Sequence, residues 1–318
     1  MNKPRLALVI GILCVSVFPL LIKMELAPGL ISAFYRMAIA LVLILPYAWY
    51  TKQLGMPSTK ILLLTALGGI LFGSDVAAWN IAILESTATQ ASLLTNLSPV
   101  WVGVATFLFL TNKPTKNFWI GTLISLLGMV ALVGFEVFAS LSFDIGFICG
   151  VLSGVFYSAY LLISKEVLAK ISIVTFMTYS LMASSVFLGI MSLAWGEPFG
   201  GFSTMGWMVL SLQAVVCQLL AWLMVSYALQ YMRTTRVSLA MLSQALLTAF
   251  LAWVFLDEII TLQMILGGIV LLFGIRITFY NKPITIKRSH WLPLLKMRHK
   301  RKSNVTQVRR TGQNLPLR

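Results

Sequence analysis

The sequence predicts an all-α integral membrane protein: ten transmembrane helices arranged as two inverted five-helix repeats, followed by a basic C-terminal tail. Three observations predict it. Of the 318 residues 59% are hydrophobic and only 10% charged, a balance too oily for a water-soluble domain. Basic residues of the main body fall at alternate connections between long apolar runs. The chain also matches itself at a shift of 146 residues.

A hydrocarbon core about 30 Å thick needs ~20 apolar residues in a helix, and charged residues mark the ends of such segments. The first span, 5–23, runs between Arg5 and Lys23. It is read as a span rather than a signal peptide because Lys23-Met24-Glu25 offers no small-x-small cleavage site. The second, 28–50, stops short of Lys52, and the third, 60–84, is bracketed by Lys60 and Glu85. The fourth, 87–110, carries Ser98-Pro99 in its middle. Lys116 and Lys165 bracket a pair, 117–136 and 144–164, joined through an apolar link at Val137–Phe143. The remaining spans are 172–195, 204–230, 234–256 and 261–280, separated by Glu197, Arg233 and Asp257-Glu258.

Placing the N-terminus in the cytoplasm puts Lys3, Arg5, Lys52, Lys60, Lys113, Lys116, Lys165, Lys170, Arg233 and Arg236 on inner connections and only Lys23 on an outer one. Glu25, Glu85, Glu136, Asp144, Glu197, Asp257 and Glu258 then fall outside. A missed or extra span would scramble this alternation. The expected location is therefore the cytoplasmic (inner) membrane, multi-pass, with both termini cytoplasmic.

The shift of 146 aligns 88–128 with 234–274 without a gap, bringing Ser92 onto Ser238, Phe109-Leu110 onto Phe255-Leu256, and Gly121 and Gly128 onto Gly267 and Gly274. A nearby shift of 142 puts Lys23 on Lys165 and Phe34 on Phe176. Each half then holds five spans, so the second copy enters the membrane from the opposite side. The domains are expected at 1–140, 141–280 and a tail at 281–318. Inverted repeats are the sequence sign of secondary transporters, because similar halves in opposite orientation can exchange conformations.

The stretch 5–280 resembles the drug/metabolite transporter superfamily, specifically ten-span permeases made of two EamA-type repeats. The residues carrying the resemblance are Arg36 in the second span, Ser98-Pro99 in the fourth, Leu256-Asp257-Glu258 closing the ninth, and the Gly-x6-Gly spans that follow each. The resemblance implies an all-helical carrier that moves small metabolites or amino acids, often outward, through a cavity between the halves. Two positions depart from the family pattern: Asn112 stands where a glutamate usually ends the fourth span, and Gln244-Ala245 where the ninth usually keeps a proline.

Ionisable groups inside hydrocarbon are expensive, so those that remain are functional candidates. Two are deep: Arg36, about 12 Å from the outer end of its span, and Asp75, about 13.5 Å from the end of the next. They lie at matching levels, either as a structural salt bridge or as a substrate contact with Asp75 also a proton-coupling group. Pro99 cannot donate, which frees the carbonyl of Thr95 in the Thr95-Asn96-Leu97-Ser98-Pro99 break, and Gln244 is the repeat mate of Ser98. Asn96, Ser98, Pro99 and Gln244 thus approach the midplane from opposite halves, as cavity lining or as interhelical glue. Trp79, Asn80, Tyr157, Gln218 and Trp222 complete the candidate cavity wall. Gly146, Gly150, Gly154 and Ser158 give the sixth span a flat packing face, and either heptad-spaced glycine set is also a candidate homodimer surface.

Formal charge is +15, but eleven of the 24 basic residues and no acid lie in 281–318, leaving +4 on the rest. That tail is expected to be disordered and to contact anionic lipid rather than nucleic acid, since no folded nucleic-acid module accompanies it. Cys14, Cys149 and Cys217 sit in apolar runs without CxxC spacing, and both histidines, His290 and His299, are in the tail, so neither a disulfide framework, a metal nor another cofactor is indicated. An intramembrane enzyme lacks its nucleophile and base, and no Walker motif supports ATP-driven pumping. The expected function is a secondary transporter exporting a small polar metabolite or amino acid by alternating access, the alternative being a channel or sensor.

Overall fold

A computed structural model describes residues 3–85, 88–134, 143–257 and 259–280, the side chains of Ser92 and Leu256 among a few excepted. The apolar link from Val137, Glu136, Glu258 and the basic tail, with His290 and His299, lie outside the described residues. Among those described every regular element is helical: α1 (Lys3–Ser16), α2 (Phe18–Ile22), α3 (Gly29–Tyr50), α4 (Thr59–Glu85), α5 (Ala88–Thr95), α6 (Ser98–Phe109), α7 (Lys116–Val133), α8 (Ile145–Leu168), α9 (Ile173–Ala194), α10 (Thr204–Leu212), α11 (Ala221–Tyr231), α12 (Thr234–Met241), α13 (Ser243–Leu256) and α14 (Leu262–Phe279), with a π-helical stretch at Gln213–Leu220.

Nine helical stretches among the described residues are long and apolar enough to cross a bilayer, and Leu93–Phe109 is apolar but shorter. Large apolar side chains face outward along them: Leu123 is 62% exposed, Ile190 60% and Ile269 59%. On a soluble protein such a surface would aggregate, whereas in lipid it is the solvated face. The protein is a multi-pass membrane protein.

Four departures from the expected spans have local causes. The first span is broken at Val17, because Pro19 lacks an amide N–H and clashes with the preceding turn, so α2 starts anew. The fifth ends at Val133 rather than 136, where Gly134 takes φ 113, a left-handed conformation that glycine adopts without penalty. The sixth continues past Lys165 to Leu168, since the Lys165 ammonium is bonded to the carbonyls of Leu229 (2.7 Å) and Gln230 (2.9 Å) at the end of α11. The eighth contains the π-helical stretch, a feature that hydropathy does not signal.

Helix starts repeat as the sequence does. Thr115 caps α7 by accepting from the Phe118 N–H, and Thr261, 146 residues on, caps α14 by accepting from the Met264 N–H. The same shift carries α5 onto α12 and α7 onto α14. It also carries the α5–α6 break onto the α12–α13 break, although the second has no proline; there the Ser243 hydroxyl donates to the Ala240 carbonyl at 2.7 Å.

α7 and α14 pack backbone to backbone. A Cβ placed on Gly121 would lie 2.5 Å from the Gly274 carbonyl oxygen, one on Gly128 2.7 Å from that of Gly267, one on Gly267 2.8 Å from that of Gly128, and one on Gly274 2.6 Å from that of Gly121. The Ser125 hydroxyl adds a bond of 3.1 Å to the Leu271 carbonyl. Residue numbers rise along one helix as they fall along the other, so the pair is antiparallel. Both heptad glycine sets therefore meet each other within the chain.

Candidate functional site

Asp75 is carried at mid-length on α4, 7% exposed. Its partner comes from α8: the Ser153 hydroxyl donates to Asp75 Oδ1 at 2.6 Å. The hydroxyls of Ser153 and Thr95 lie 2.9 Å apart. A hydroxyl has one proton, and that of Ser153 is given to Asp75, so Thr95 donates in turn. The carboxylate is thus tied through two hydroxyls to the last residue of α5, at the broken helix. Sequence reasoning missed Ser153, which lies one position from Gly154 of the small-residue stripe and carried no charge signal. Ser153→Ala leaves a buried carboxylate without its donor; the expected result is a loss of about 1.5–3 kcal/mol in stability, read as a lower thermal midpoint of the purified protein.

Arg36 on α3 is 6% exposed and forms no salt bridge with Asp75. Its guanidinium stacks over the Phe18 ring at 4.3 Å, and Phe18 in turn lies 6.4 Å from the Trp79 ring. One turn before Arg36, the Ser32 hydroxyl donates to Gln213 Oε1 at 2.7 Å, joining α3 to the π-helical stretch. The two deep charges are placed in different surroundings: a hydroxyl chain for the acid and aromatic faces for the base.

The break between α5 and α6 seats on α8. A Cβ on Gly154 would lie 3.2 Å from both the Leu94 and Thr95 carbonyl oxygens, and the Ser158 hydroxyl donates to the Ser98 carbonyl at 2.9 Å. The Thr95 carbonyl that Pro99 releases thus faces the small-residue stripe of the sixth span. Ser98 and Pro99 are buried there and Asn96 is half-buried in the turn. Gln218 and Gln244 each hold a buried side-chain oxygen with no hydrogen-bond partner among the described residues. Tyr157 and Trp222 join an aromatic cluster with Phe72 and Tyr160: Trp222 lies 6.1 Å from Tyr157, 5.4 Å from Tyr160 and 4.7 Å from Phe72.

Trp79 and Asn80 are elsewhere, in the wall of a cavity of about 460 Å³ at the ends of α4 and α9, lined also by Glu25, Gly29, Trp195 and Glu197. Asn80 donates from Nδ2 to the Val76 carbonyl at 2.8 Å. The structure therefore ties Asp75 through two hydroxyls to the α5–α6 break, sets Arg36 under Phe18, gathers Tyr157 and Trp222 in an aromatic cluster, and places Trp79 and Asn80 in a cavity wall that reaches Arg36 through Trp79 and Phe18.

Comparison with known proteins places the chain. The EamA-like transporter family matches twice, over residues 3–134 and 144–280. The chain belongs to this family. Among curated relatives of this EamA-family protein, the uncharacterized transporter YdfC of Bacillus subtilis is 23% identical over 249 residues, covering 78% of this chain and 80% of that one. An uncharacterized transporter of Archaeoglobus fulgidus is 27% identical over 250 residues, covering 77% and 85%. A solved crystal structure superposes with a TM-score of 0.75 at 15% identity, over 88% of this chain and 97% of the other, a likeness of fold.

Proposed function

We propose that this EamA-family protein is a secondary carrier that exports a small polar metabolite or amino acid across the cytoplasmic membrane by alternating access. On this reading the chain crosses ten times, with α5 and α6 together as one crossing. Residues 1–140 and 141–280 form two inverted repeats, both termini are cytoplasmic, and the basic tail lies against anionic lipid, at about 1 kcal/mol per basic residue near the surface.

The observation that carries the reading is the reciprocity between α7 and α14. Gly121 faces Gly274 and Gly128 faces Gly267, and the shift of 146 turns each of these contacts into the other. A contact set that maps onto itself when two copies are exchanged is what a local twofold axis imposes. An axis relating antiparallel helices runs across them, and for helices that span the bilayer this supports the inverted-repeat reading. Such halves can trade conformations and so expose a central site to each side in turn. Arg36, Asp75, Asn96, Ser98, Gln218 and Gln244 form the proposed site, with Tyr157, Trp222 and the Pro99 break as its walls and Trp79 and Asn80 at its mouth. One cation, one acid and several amides suit a zwitterion or polar metabolite better than a lipophilic cation.

Purified protein in proteoliposomes, given a labelled panel of amino acids and small metabolites with and without an imposed pH gradient, tests this. Saturable, substrate-dependent flux and counterflow are expected, both lost in Arg36→Ala and Asp75→Ala. Flux that never saturates would mark a channel, and N- and C-terminal tags accessible from opposite sides would overturn the topology.

A further inference from the structure

We propose that Arg36 is an anion subsite that receives the carboxylate of the transported molecule, so that the substrates are small metabolites bearing a single carboxylate. The proposal rests on the carrier reading above and narrows it to a chemical class. A guanidinium presents five N–H donors, yet the contact Arg36 makes is with the face of Phe18, and its buried Nε finds no hydrogen-bond partner among the described residues. An aromatic face attracts a cation but satisfies no N–H donor in the guanidinium plane. Asp75 is near enough to act on Arg36 through space, but forms no salt bridge with it and takes its hydrogen bond from Ser153. A charge 6% exposed, within the span Gly29–Tyr50, with neither a salt bridge nor a hydrogen bond among the described residues, is one whose anionic partner arrives from outside.

The charge balance names that partner. The guanidinium fork matches a carboxylate in two parallel hydrogen bonds and stays charged throughout the physiological pH range. One positive charge neutralises one negative charge; a phosphate dianion would bring a second, uncompensated. Access runs along the contacts already described: Trp79 lines the 460 Å³ cavity, its ring lies 6.4 Å from Phe18, and Phe18 covers the guanidinium. Phe18 opens the short helix α2, set off from α1 by the break at Val17, so its ring can turn without unwinding a long helix.

The test is ligand-dependent thermal stabilisation of the purified full-length protein at constant ionic strength. The probes are acetate, lactate, L-alanine and L-leucine, each set against its carboxamide counterpart, with inorganic phosphate and chloride as further arms. Saturable upward shifts are expected from one or more carboxylates and from none of the carboxamides. Arg36→Lys should weaken the apparent affinity on the order of tenfold, and Arg36→Gln should abolish the shift. The wild-type arms stand even if the variants fail to fold: no shift from any carboxylate, an equal shift from the carboxamide, or an equal or larger shift from phosphate or chloride overturns the proposal. Because binding is read without transport, saturable flux of a cation lacking an acid group would sink the subsite and keep the carrier. Carboxylate binding without any flux would do the reverse.

Discussion

In proteoliposomes containing Asp75→Asn, flux driven by an imposed pH gradient is expected to fall to the level of empty liposomes, while exchange of labelled for unlabelled substrate continues. Asn keeps the shape of Asp and retains an oxygen where Ser153 donates at 2.6 Å, so the fold and the hydroxyl chain to Thr95 persist. What it loses is the ability to bind and release a proton. If Asp75 is the group that couples substrate movement to the proton gradient, exchange, which needs no net proton transfer, survives and net gradient-driven movement does not. Glu at the same position restores a titratable group one methylene longer and should recover part of the coupled flux. Unchanged flux with an unchanged pH profile in Asp75→Asn would remove the coupling role and leave Asp75 as a structural group bonded to Ser153.

The division between what the sequence reveals and what it hides follows the range of the forces involved. Membrane spans are legible because partition into lipid is decided locally: a run such as Gly29–Tyr50 is apolar whatever it packs against. Asp75 and Arg36 stand out for the same reason, as charges where none is cheap. The partners of those charges were not legible. Ser153 is 78 residues from Asp75 and reads as one small residue among many, and the stacking of Phe18 on Arg36 depends on the break at Val17. Pro19 in an apolar run was a signal for that break that the hydropathy reading passed over. The second break, at Leu242, had no proline to announce it, and the π-helical stretch at Gln213–Leu220 had no compositional mark at all. The glycines lie between these extremes: their spacing was visible, and their mutual pairing was not, because spacing specifies a flat face without naming its occupant.

That pairing makes the second large prediction quantitative in an unusual way. Gly128→Ala and Gly274→Ala, at positions related by the 146 shift, are expected to destabilise the protein by similar amounts, each about 1–3 kcal/mol and toward the upper end. A Cβ on Gly128 meets the Leu271 nitrogen at 2.3 Å and the Gly267 oxygen at 2.7 Å; one on Gly274 meets the Ser125 nitrogen at 2.5 Å and the Gly121 oxygen at 2.6 Å. These are backbone atoms of packed helices, which cannot swing aside as a side-chain tip can, so the whole α7–α14 pair must separate. Separation would also break the bond from Ser125 to the Leu271 carbonyl, which lies between the two glycine contacts. Ser125→Ala removes that bond without adding volume, at about 0.5–1.5 kcal/mol, and serves as the mild reference. Thermal midpoints of the purified variants supply the measurement. If one glycine variant falls well below the wild type while its mate matches it, the two helices do not share their interface equally, and the local twofold on which the carrier reading depends is lost with them.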